Sequence, residues 1–287
     1  MPINEPQPQV VMALEERREW LKARKREFRL KPPIILYPSH LEREYRNQVG
    51  SIYKDLELII EQALPTSRLE RLLNSGQLEQ GTRLDDFDDE LRAILSGISV
   101  RFAQVWSVRR IQNLSTAIAS KVQAFNKSQN DKVFRKLLNV DVFRSEPNIR
   151  NVMKSFASRN ASLITRMSDD TIKNIEQVIM AGVRNGLSNK AVSEQLQKKL
   201  KIAKNRADLI ARDQINKLNG QLNLIRQTEM GVKRYRWRTA LDERVRTSHA
   251  LREGRIFRWQ DPPSDGHPGE AINCRCVPEP ILEDLLE

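Results

Sequence analysis

Residues 231–280 read GVKRYRWRTALDERVRTSHALREGRIFRWQDPPSDGHPGEAINCRCVPEP. The stretch carries both cysteines, Cys274 and Cys276, two of the three histidines, His249 and His267, and two of the four tryptophans, Trp237 and Trp259. From Arg234 to Thr239 the residue types alternate. Tyr235, Trp237 and Thr239 fall on one face and Arg234, Arg236 and Arg238 on the other, which predicts a half-buried strand. Asp242 opens a short helical segment, DERVRTSHAL, that ends near Gly254. A second short strand is expected over Arg255 to Trp259. The Pro- and Gly-dense loop after it must be irregular and delivers His267 and then Cys274-Arg275-Cys276.

Two Cys and two His equal the ligand count of a tetrahedral zinc ion. The spacing is not that of a zinc finger, so two readings stand at this point. Either His249, His267, Cys274 and Cys276 hold one metal, or the thiols are packed or locally paired and the histidines are ordinary surface groups. A loop with so little apolar content favours something that holds it.

Outward from this stretch the chain is mainly α. A length of 287 residues with 39% hydrophobic and 30% charged residues gives one or two globular domains and enough apolar side chains for a core. No apolar run is long enough to span a membrane, and the N-terminus lacks a secretory pattern. Two cysteines at Cys-x-Cys spacing build no disulfide framework, which points to synthesis in a reducing cytoplasm. The formal charge of +12 favours polyanions, DNA phosphates or acidic protein surfaces, as partners.

Residues 1–38 read as a basic arm. Its first 11 residues are Pro- and Gln-rich, and a helix-compatible run from Leu14 to Leu30 is crowded with Lys22, Arg24, Lys25 and Arg26. These four and the strand arginines Arg234, Arg236 and Arg238 are the candidate DNA contacts. Residues 39–146 read as a helical region. Ser39 and Glu42 have capping-box spacing, and an apolar stripe of Leu41, Tyr45, Val49, Ile52, Leu56, Ile59 and Ala63 runs to Pro65. A second long helix is expected from Asp85 to Phe125, with Gly97 as a point of kinking, and a short helix near residues 133–140.

Residues 147–287 form the third segment. It opens with a helix over residues 147–166, and Ser168-Asp169-Asp170 caps the next. Asn185-Gly186 closes that helix. Further helices are expected from Asn189 to Leu200 and from Asn205 to Met230. Arg212, Asp213, Gln214, Asn216 and Asn219 flank the last one, as a solvated face or as a brace for the C-terminal loop. The sequence contains no phosphate-binding Gly loop, no His-Glu-x-x-His and no nucleophile elbow.

Many of these features recur in one order: Asn185 to Ser188, Arg206 to Arg212, Asn219, Tyr235 to Thr239, Asp242 to His249, Gly254, His267-Pro268 and Asn273 to Cys276. The order resembles the Mu F-like minor head proteins of tailed phages, the head morphogenesis family, over about residues 150–280. Members often carry Cys where this chain has Arg246. The resemblance implies a non-enzymatic virion protein, made in the host cytoplasm and retained inside the head near the portal. Its implied partners are the portal protein, scaffolding or major capsid protein, and double-stranded DNA. It also strengthens the four-ligand zinc reading, with Asp242 and Asn273 bracing the site and Arg212 and Asn219 supporting it. The competing expectations are a metal-dependent nuclease using Asp242 and His249, and a non-specific DNA-binding protein.

Overall fold

The computed structural model describes residues 4–24, 32–77, 84–139 and 146–286. Lys25 and Arg26 lie outside the described residues. Eight helices and three strands are present among the described residues, in the order α1 Pro8–Ala23, α2 Ser39–Ala63, α3 Thr66–Gln77, α4 Leu84–Val105, α5 Val108–Leu138, α6 Pro147–Arg184, α7 Asn189–Glu229, β1 Arg234–Arg238, α8 Thr247–Ala250, β2 Ile256–Arg258 and β3 Val277–Pro280, with a 3-10 turn over Glu283–Leu286. The fold is mainly α with a small C-terminal α+β module, as expected.

The chain forms two compact units. One comprises Met1–Arg43, Thr116–Phe156 and Arg212–Glu287, and the other Glu44–Ser115 and Ala157–Ala211.

In the second unit the α2 stripe is buried from Tyr45 through Ile52, Leu56 and Ile59. Tyr45 sits among the helices and donates to Asn160 Oδ1 at 2.8 Å. Its pKa is pushed up to about 12, chiefly by burial. The long helix expected from Asp85 is two helices. The break falls at Trp106-Ser107 and not at Gly97, because the Ser107 hydroxyl accepts the Arg110 N–H at 3.3 Å and caps α5. Gly97 lies inside α4 with open space around it. α6 runs unbroken through Ser168-Asp169-Asp170. Ser168 and Thr171 turn their hydroxyls back onto the carbonyls of Ile164 and Met167, at 3.0 and 2.7 Å, so these potential caps are satisfied within the helix. α6 then closes as expected. Gly186 has φ +59, Gly186 N–H bonds Val183 O and Leu187 N–H bonds Gly182 O, a Schellman motif. Ser188 caps α7, which continues without a break to Glu229.

The first unit has an apolar core in which Val10 and Leu14 of α1 meet Val133, Phe134, Met230, Val232, Val277 and Leu282. Residues 8–11, part of the Pro- and Gln-rich start of the expected arm, therefore belong to a helix, because Val10 finds a buried seat. A polar layer lies beside this core. Arg226 is fully buried and binds both Glu146 oxygens, at 2.6 and 3.1 Å. It also donates to Asn126, which bonds Asn219 at 2.8 Å and Asn223 at 2.9 Å. α7 ends in a second Schellman turn at Gly231, φ +82, and leads straight into β1.

The sheet order is β2-β1-β3, antiparallel throughout, with Tyr235 opposite Phe257 and Pro280, and Trp237 opposite Pro278. The period-two reading of β1 holds, with Tyr235 and Trp237 buried and the three arginines half-buried. The segment expected to be helical from Asp242 is turns until Thr247. Leu241 takes φ +52 and the Asp242 carboxylate accepts the Arg244 N–H at 3.2 Å, a local turn that competes with helix.

Candidate metal centre

Trp237 of β1, His249 of α8 and the Cys-Arg-Cys turn before β3 converge on one side of the sheet. His249 is 2% exposed, Cys274 4% and Cys276 5%. The His249 ring stands edge-on to Trp237 with centroids 5.1 Å apart. Its Nδ1 lies 3.5 Å from Cys274 Sγ and 3.5 Å from Cys276 Sγ. The three ligand atoms lie within 4.8 Å of one another. Zn–S bonds of about 2.3 Å and Zn–N bonds of about 2.0–2.1 Å at tetrahedral angles would set nitrogen and sulfur about 3.6 Å apart. The donor set therefore fits a zinc-sized ion in both chemistry and spacing.

The surroundings favour a bound thiolate. The Gly269 N–H donates to Cys274 Sγ at 3.3 Å. The Cys274 thiol is lowered to about 6, first by the hydrogen bond from Cys276, with burial opposing. Cys276 is correspondingly pushed up, by sharing that proton and by burial. The other face of the histidine is held by Asp265, whose Oδ2 is 3.0 Å from Nε2. Burial opposes ionisation of Asp265, but hydrogen bonds from Arg252 and His249 outweigh it and hold its pKa below the ordinary value. A carboxylate behind a ligating histidine fixes the tautomer that leaves Nδ1 as the donor.

A cysteine, a histidine and an aspartate in line could also describe a nucleophile, a base and its orienting group. Here Nδ1 is equidistant from two buried sulfurs, which suits a shared ion better than a single attacking thiol.

His267 does not join the group. Its Nδ1 is 2.9 Å from the Tyr235 hydroxyl, its ring centroid is 4.8 Å from that of Trp259, and its backbone N–H donates to Glu270. The expected set of four thus divides into three candidate ligands and an aromatic-cluster histidine. Asp242 is not behind His249 either. It pairs with Arg275 at 2.6 Å, and that hydrogen bond lowers its pKa. The residue behind His249 is Asp265, whose place in the Pro- and Gly-dense loop makes it look in sequence like an ordinary turn residue.

Asn273 braces through its backbone. It adopts φ +58, and its N–H points to Asp213 Oδ1 at 3.4 Å. Asp213, Asn216 and Asn219 are buried, so that flank of α7 is a brace more than a solvated face. Within it, Asn219 serves the Asn126 network, and Arg212 lies 3.8 Å from Glu42. Neither touches the thiols. The expected capping partner Glu42 instead accepts the Tyr37 hydroxyl at 2.8 Å.

The candidate DNA contacts divide. Arg238 is bound to Glu279 at 2.8 Å and Glu253 at 3.1 Å, and Arg236 lies 3.4 Å from Glu279. These two are engaged in internal pairs, which reduces the charge that the strand face offers to a polyanion. Arg234 is also engaged in an interaction within the chain. Lys22 pairs with Glu19 at 2.7 Å on the surface, and the Arg24 guanidinium stacks over Trp20 at 3.9 Å. No helix among the described residues is long and apolar enough to cross a membrane.

Residues 173–279, from the second half of α6 to β3, match the family described as Phage Mu protein F like protein. An uncharacterized protein of Haemophilus influenzae (strain ATCC 51907 / DSM 11121 / KW20 / Rd) is 30% identical over 283 residues, covering 96% of this chain and 60% of that protein. The chain thus spans less than two thirds of that relative's length. No solved structure matches the chain.

Proposed function

We propose, from the Mu F-like family of its residues 173–279, that this chain is a minor head protein of a tailed bacteriophage. In this reading it acts in head assembly at the portal vertex, stays in the virion near the portal, and takes part in DNA packaging or ejection. Its partners are the portal protein, scaffolding or major capsid protein, and double-stranded DNA. The family match is the observation that carries the reading. The basic balance of the chain and its long amphipathic helices agree with it. The chain is not an enzyme in this reading. Sulfur donors suit zinc and argue against a Mg²⁺-dependent nuclease. The test is co-expression of the full chain with the portal protein of the same phage. A stable complex is expected, and separate elution of the two proteins would count against the portal assignment.

Zinc is the metal this donor set fits. His249, Cys274 and Cys276 would hold it, and it would supply a fixed point for a loop that has few apolar contacts of its own. Purified protein is expected to carry about one equivalent of zinc by elemental analysis. Cys276→Ser is expected to lose that metal and to increase hydrogen exchange over residues 260–280 while sparing α2 and α6. Metal-free, fully folded wild-type protein would leave two packed thiols and no centre.

A further inference from the structure

The zinc reading leaves a coordination position unaccounted for. A tetrahedral ion takes four donors, and among the described residues no fourth His, Cys, Asp or Glu joins His249, Cys274 and Cys276. The three ligands line a cavity of about 240 Å³ together with Arg244, Arg246 and Arg275. Two of these arginines face Asp242, Arg275 at 2.6 Å and Arg244 at 3.7 Å. Arg246 is exposed, donates to the Ile272 carbonyl, and pairs with no carboxylate among the described residues.

Charge indicates what such a position accepts. A divalent ion with two thiolates and a neutral imidazole is electrically balanced. An anionic fourth donor adds one negative charge, and Arg246 supplies the matching positive charge at the cavity wall. The guanidinium keeps N–H donors beyond the one given to Ile272, enough to hold one oxygen of a carboxylate while its other oxygen faces the metal.

We infer that the metal centre has an open fourth coordination position facing this cavity, and that it takes a carboxylate from outside the chain, held against Arg246. The inference rests on the zinc reading and goes beyond it. It makes the centre a ligand-accepting site as well as a fixed point for the loop. A carboxylate carried by a neighbouring protein chain and a free small carboxylate share this chemistry, and the simplest probe is acetate.

The experiment uses the full chain loaded with Co²⁺, whose visible d–d absorption reports on its ligands. Metal stoichiometry is measured first. About one equivalent is expected, and a chain that takes up neither Co²⁺ nor Zn²⁺ ends the zinc reading and this inference with it. Sodium acetate is then titrated against sodium chloride at matched ionic strength. A saturable spectral change with acetate alone is expected. Arg246→Gln should weaken it about tenfold or more, the worth of one charge-assisted hydrogen bond, and Arg246→Lys should weaken it less. His267→Gln should keep both the metal and the response. A cobalt spectrum unmoved by acetate would overturn the open position while leaving the metal reading intact. Loss of the metal in His267→Gln would do the same, by making His267 the fourth ligand. An unchanged titration in Arg246→Gln would remove Arg246 from the site.

Discussion

The two ring nitrogens of His249 meet chemically opposite neighbours. Nε2 faces the Asp265 carboxylate and Nδ1 faces two sulfurs. One contact orients the ring and the other is free to act as a donor. His267 has a different assignment, since burial is the main cause that lowers its pKa, against the pull of Glu270. The sign of its effect on stability follows. A folded pKa below the unfolded value of about 6.5 means that the unfolded chain binds more protons between the two values. Its contribution is therefore present above about pH 6.5 and is lost as pH falls toward the folded pKa. Melting temperatures of wild type and His267→Gln at pH 5 and pH 7.5 test this. The wild type should lose more stability on acidification than the variant, and an equal loss would show that His267 does not titrate on unfolding. Both histidines and both cysteines were visible as candidates in the sequence, because scarce residue types crowded into one stretch. Their division was not visible, since it depends on whether Tyr235 or the thiols face each ring.

Periodicity made the longest elements legible and left their ends unclear. The α2 stripe, the Schellman turn at Gly186 and the alternation of β1 could all be read from residue types. The apparent break at Ser168-Asp169-Asp170 was not real, because a Ser or Thr hydroxyl can serve either as a cap or as a back-bond within a helix. β3 escaped notice because its sequence is Val-Pro-Glu-Pro, and proline depletes strands except at an edge, where β3 lies. Close approach of α7 to the His-Pro-Gly turn was also invisible. A Cβ on Gly220 would lie 2.6 Å from the Pro268 carbonyl oxygen and 3.1 Å from Gly269 Cα. Both contacts are to backbone, and Gly269 is itself held at φ +95. Gly220→Ala gains helix propensity of about 1 kcal/mol. The clash should cost more than that gain, so a net loss of about 1–2 kcal/mol is expected. Gly97→Ala is the control. It sits in α4 with nothing within 4 Å of the new methyl, so it should stabilise by about 0.5–1 kcal/mol. Urea unfolding of both variants measures the contrast, and two shifts of the same sign would refute the close-approach argument.

At the scale of the molecule, the question is where a formal charge of +12 is available to a polyanion. The β1 arginines Arg236 and Arg238 spend their charge on Glu279 and Glu253, so they add little to an external field. A different basic surface lies along α5. An open groove of about 830 Å³ is lined by Lys127, Lys132, Arg135 and Lys136 with a single acid, Asp131. In the sequence, four cations spread along one helix look like an ordinary solvated face. If duplex DNA is a partner, phosphates should follow this groove and the Lys22–Arg24 end of α1, without base preference. About six phosphate contacts would make affinity fall roughly 10³-fold between 50 and 200 mM salt. Replacing Lys127, Lys132 and Lys136 together by Gln should flatten the log–log salt slope by about 2.7, close to 0.9 for each lost contact. Replacing Arg236 by Gln should leave that slope unchanged, which separates a paired cation from an available one. Fluorescence anisotropy with a labelled duplex of arbitrary sequence, repeated over that salt range, reads both effects. No binding at 50 mM salt would remove DNA from the partners. A slope that responds to Arg236 and not to the three lysines would return the interface to the strand.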